Sequence, residues 1–196
     1  MYVLTEQPWV LLALTQLIDL VLYTITAVTT HRIILLGASS VPRYGIQWTR
    51  HTTRFFTLAL FLTAASYATA LILSSSTNWL FDDLLLFTTI VSLGMLVLAF
   101  VIARLLLVFP AAAVGQPITL LHSWELTRRR KLLMFLITIV FPALIGVPAA
   151  VISDSSTAGY FLRSIISLPA LVIIVILLSF AYQEIRKEHV VERVDE

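Results

Sequence analysis

The sequence predicts an all-α fold, a polytopic membrane helix bundle with five transmembrane helices. Three observations predict it. Of 196 residues, 59% are apolar and 12% are charged, whereas about a quarter of a soluble domain is charged. Mean hydropathy is +0.97. The apolar residues gather in stretches of about 20, the length a helix needs to cross the hydrocarbon core. None of these stretches alternates with a period of two, so strands are excluded, and a helix satisfies its own backbone in lipid.

The spans follow in order as 9–30, 55–74, 84–103, 132–152 and 161–182. The first twenty residues show no basic region ahead of the apolar stretch and no small-residue cleavage site, so no cleaved signal peptide is expected. Pro142, Pro148 and Pro169 fall inside the fourth and fifth spans, where kinks rather than breaks are expected. The membrane domain takes residues 1–183, and 184–196 form a charged cytoplasmic tail. There is no cysteine, which excludes disulfides, thiol catalysis and thiolate metal sites.

Charge orients the chain. Arg32, Arg43, Arg50 and Arg54 lie between the first two spans. Arg104, Arg128, Arg129, Arg130 and Lys131 lie between the third and fourth, against Glu125 alone. The acids Glu6, Asp82, Asp83 and Asp154 occupy the opposite connections. The positive-inside rule therefore places the N-terminus outside and the C-terminus in the cytoplasm. Arg163 alone dissents, and its long side chain can snorkel from the first turn of the fifth span.

The run "ARLLLVFPAAAV" (103–114) sets an arginine in apolar surroundings. Span three is already a full crossing at Ala103, so Arg104 reads as a boundary post at phosphate depth. Pro110 is expected to bend the chain away beyond the hydrocarbon or along the interface. Thr119 is placed to cap a short in-plane helix carrying Leu120, Leu121 and Trp124. The first half looks alike: Arg32, "IILLG", Pro42, Trp48, then Arg54. Two readings stand, a parallel helix–interfacial segment–helix pseudo-repeat, or two cytoplasmic loops alike only in being rich in Arg and Trp.

"RLLLVFPAAAVGQPITLLHSWELTRRRK", with "HRIILLG" earlier, resembles a broad set of bacterial integral membrane proteins. These are the YciC-like proteins and the membrane-anchor domain of some glycerophosphodiester phosphodiesterases. Arg104, Pro110, Ala111, Ser123, Trp124, Leu126 and Thr127 match that pattern. Relatives often have glycine where this chain has Arg128 to Arg130, so the helix is expected to continue there unbroken. They tend to have six helices, so five implies a missing first helix or a shorter member. The resemblance implies a membrane module and no enzyme activity.

Asp19 is the only acid well inside a span, with Gln16, Thr15 and Tyr23 on the same face. It reads either as a packing hydrogen-bond partner of Thr88, Thr89, Ser92 or Tyr67, or as a proton or cation site. Arg32, Arg54, Arg104, Trp124, Arg128, Arg129, Arg130 and Lys131 read as an anionic-lipid interface rather than a nucleic-acid site. His31, His51 and His122 lack metal-ligand spacing and read as interfacial, so no metal or cofactor is expected. His122 and Ser123 are neighbours on one helix, point apart, and do not read as a nucleophilic pair. The favoured function is a non-catalytic scaffold, accessory subunit or lipid-interacting module, partnered by the bilayer, other membrane subunits or its own copies. The alternative is a small transporter or channel using Asp19 in a cavity between the pseudo-repeats.

Overall fold

The structure is a computed structural model that describes residues 8–43, 48–80, 84–116, 118–144 and 157–194. Among them every regular element is a helix and there is no strand. We label α1 Pro8–Leu36, α2 Arg50–Leu80, α3 Leu84–Leu105, α4 Val108–Ala113, α5 Leu120–Leu126, α6 Lys131–Leu144 and α7 Thr157–Val194. Four stretches within them are long and apolar enough to cross a membrane: Leu14–Leu36, Arg50–Ser75, Leu85–Ala113 and Pro169–Glu188. The expected fourth span is described only as the shorter apolar α6, and 145–152, with Pro148, lies outside the described residues.

Local chemistry explains the boundaries. Gly37 ends α1 at φ +91°, a conformation glycine alone adopts freely, so "IILLG" completes the helix instead of lying along an interface. Thr119 caps α5 as expected, its side chain accepting from His122 N at 3.1 Å. In α6, a π-helical turn over Leu136–Val140 precedes Pro142. Phe141 N–H donates five residues back to Leu136 O, a slackened winding that gives the proline ring room one residue later. α7 runs through Pro169 unbroken and continues past residue 183, with Ile185 buried. The charged segment is thus partly built into the bundle.

α5 does not continue into α6. The chain turns over Thr127–Arg130, with Arg128 N–H on Glu125 O and Arg130 N–H on Thr127 O. No described non-glycine residue has positive φ, so this turn needs no glycine and three arginines can make it.

The largest departure from expectation is at Pro110. The segment after Arg104 turns inward rather than away from the bundle. All six residues of α4 are buried, packed among α1, α2 and α7. Pro110 sits in the first turn of α4, where a missing N–H costs no helical bond. Phe109 and Ala113 join Ala27, Val28, Phe55 and Val175 in one cluster. Leu107 and Ala111 join Met134, Ile137, Leu178 and Ile185 in another. The core is therefore built around α4, at the end of the bundle where α1 finishes and α2 begins.

Candidate functional site

Arg104, the last basic residue of α3, is 8% exposed. Its Nε donates to Thr127 Oγ1 at 3.3 Å, and a terminal nitrogen donates to the Trp124 carbonyl. The guanidinium carbon lies 3.5 Å from the Trp124 ring centre. In return the Ser123 hydroxyl donates to Arg104 O at 2.9 Å. Arg104, Ser123, Trp124 and Thr127 form one latch fixing α5 against α3. The arginine turns to protein groups, so its partners are not those of a lipid-facing boundary post. Because Ser123 is buried in this latch and His122 points to Glu125 at 3.8 Å, the two share no site.

The other basic residues divide. Arg32 donates to Ala113 O at 3.2 Å and Ser40 O at 3.3 Å, while its buried Nε has no partner among the described residues. It does not repeat the Arg104–Trp124 arrangement: Trp48 packs on Phe56, with ring centres 5.8 Å apart. Arg130 pairs with Glu188 of α7, a bond that pulls its proton affinity above the ordinary arginine value. Arg54, Arg128, Arg129 and Lys131 are exposed.

The histidines separate as well. His31 is buried, and its Nδ1 lies 2.7 Å from Ser179 Oγ. Ser179 Oγ also lies 2.8 Å from Val175 O. With the hydroxyl proton on that carbonyl, His31 Nδ1–H is the donor to Ser179. A core bond between α1 and α7 replaces the interfacial histidine expected there. The His51 ring rests against Gly115, which ends α4 at φ +77°. Gly115 N–H donates to Ala112 O and Gln116 N–H to Ala111 O, the paired bonds of a Schellman stop. Among the described residues no group of three acids or histidines could hold a metal.

Asp19 lies on the wall of an open groove of about 640 Å³. Gln16, Tyr23, Thr63, Ser66 and Tyr67 share that wall, and Ile102, Leu106 and Phe109 form its inner part. Asp19 and Gln16 are exposed and Tyr23 is half-buried. Among the described residues Asp19 makes no hydrogen bond. Thr88 and Thr89, named as partners from the sequence, bond their own helix at Leu85 O. Two of the rings that line it pack on Phe55, Tyr23 with centres 6.3 Å apart and Phe109 with centres 4.7 Å apart.

A second groove of about 740 Å³ lies between the end of α1 and the Tyr182–Lys187 stretch of α7. Leu35, Leu36 and Val114 supply its apolar side, and Gln116, Arg186 and Lys187 its polar side. Sequence reading missed it, because Arg186 and Lys187 stand among acids in a stretch that reads as solvated. The available signal was their position directly after an apolar run. Neither protein-family models nor curated proteins nor solved structures yield a match to this chain.

Proposed function

We propose that the chain is a non-catalytic multi-pass protein of a bacterial inner membrane, acting as an accessory subunit or lipid-interacting module. One observation carries this reading. The long helices turn large apolar side chains outward, among them Leu71 (65% exposed), Ile72 (67%), Leu85 (77%) and Leu93 (62%). Such a surface calls for lipid or another membrane protein to cover it. The reading includes five spans, an outside N-terminus and a cytoplasmic C-terminus. It is supported by the exposed Arg54, Arg128 and Lys131 at the end where α1 finishes. Kinship with YciC-like proteins belongs to the same proposal and rests on the latch residues together with Pro110, Ala111 and Leu126.

The test has two parts. On this cysteine-free background, Ser39→Cys and Arg128→Cys should label only after the inner membrane is opened. Labelling from outside in intact cells overturns the orientation. Isolation from native membranes should bring down stoichiometric lipid or a membrane subunit, and a bare protein would count against an accessory role.

A second reading, transport, is favoured by the unpaired Asp19 in its open groove, since an intramembrane carboxylate is costly unless water or a ligand meets it. The groove lies between α1–α2 and the α3–α4 region, the border between the halves of the proposed pseudo-repeat. Ion or proton flux in vesicles that Asp19→Asn abolishes would decide for it.

A further inference from the structure

The groove between the end of α1 and the Tyr182–Lys187 stretch of α7 has a composition that specifies a ligand, and we infer that it holds one anionic phospholipid. The phosphate would sit on Arg186 and Lys187, and an acyl chain along Leu35, Leu36 and Val114. The inference rests on the lipid-interacting reading and names a site for it. Three observations converge. Two apolar stretches end here independently, Leu14–Leu36 in α1 and Pro169–Glu188 in α7. Their shared end is the depth at which a lipid passes from chain to headgroup. The groove, about 740 Å³, is large enough for a headgroup and the start of one chain. Its polar side is cationic and partly pre-positioned: Gln116 Oε1 accepts from Arg186, and the Tyr182 hydroxyl donates to the same oxygen at 3.4 Å. That contact occupies one guanidinium N–H and leaves the others to fork onto phosphate oxygens.

Among the described residues no carboxylate pairs with Arg186, and the one beside Lys187 holds it loosely. Glu184 lies 3.8 Å from Lys187, but both are well exposed, and such pairs are weak. Glu188 is committed to Arg130. The other cations at this end are less suited to a lipid. Arg104 and Arg32 bond protein carbonyls, and Arg128 and Lys131 lie outside the lining of this groove.

The experiment uses the full chain in detergent with equal phosphatidylglycerol and phosphatidylcholine, reading retained lipid by native mass spectrometry. Wild type should keep one phosphatidylglycerol in preference to phosphatidylcholine. Arg186→Gln with Lys187→Gln should reduce that retention at least fivefold, and Arg128→Gln with Lys131→Gln should leave it within twofold. Leu36→Trp, which fills the apolar side and keeps every charge, should also reduce it. Equal retention by the Arg186/Lys187 variant overturns this site while sparing the lipid-interacting reading. No preference in wild type overturns both. Displacement of the lipid by millimolar inorganic phosphate would show a site for free phosphate and overturn the lipid assignment.

Discussion

The guanidinium of Arg104 lies over the indole of Trp124, twenty residues later, with 3.5 Å between its carbon and the ring centre. A cation over a desolvated ring is worth about 2 kcal/mol, and Arg104 also satisfies the Trp124 carbonyl and Thr127. A lipid-facing arginine would tolerate replacement by glutamine; this one should not. Arg104→Lys keeps the charge but loses the planar fork. Thermal unfolding in detergent should show Arg104→Lys and Trp124→Ala each destabilised by about 2 kcal/mol, with the double variant well short of their sum. Full additivity would mean that the two side chains act independently.

Ser179→Ala should destabilise by about 1–3 kcal/mol, because it leaves a buried imidazole donor unmet. Removing both partners, His31→Leu with Ser179→Ala, should recover part of that loss. Denaturant titration of the four proteins measures it. A double variant as weak as the sum of the singles would show that packing, not the 2.7 Å contact, dominates.

At Gly115 two costs are separable. An L-residue at φ +77° is strained by roughly 1–2 kcal/mol, and an added Cβ would stand 2.7 Å from His51 Cε1. Gly115→Ala should therefore lower stability, and His51→Ala should relieve the steric part but not the backbone part. The expected result is partial rescue, read as the melting temperature of single and double variants. Complete rescue would assign the whole cost to the ring.

Asp19→Asn should be close to neutral for stability, within about 0.5 kcal/mol as for an unpartnered exposed position. The purified protein's unfolding midpoint checks this. A loss above about 1 kcal/mol would place the carboxylate in a packed hydrogen bond.

Hydropathy made the long helices legible, because a helix that crosses lipid must be apolar over its whole length. The Thr119 cap and the short helix after it were legible too, since capping is local chemistry. The inward turn of α4 was not. "VFPAAA" is as fit for a lipid boundary as for a protein core, and hydropathy cannot tell which apolar neighbour it meets. The partner of Arg104 was hidden for the same reason: Ser123, Trp124 and Thr127 stood visible in the sequence, but their convergence on that arginine is tertiary. The turn over Arg128–Arg130 was misread because a missing glycine was taken for a missing turn, whereas three-residue backbone bonds close it without positive φ.

The burial of α4 has a consequence in time. Its Leu107 and Ala111 are covered by Leu178 and Ala181 of α7, and His31 finds Ser179 148 positions later. At ordinary synthesis rates of about 5–20 residues per second, that separation is a wait of roughly 7–30 s. Until α7 is made His31 lacks its partner, and α4, once made, lacks part of its cover. The arrival of α7 is thus the event that closes the molecule, and a chain stalled before it would present the cell with an open bundle to hold or destroy.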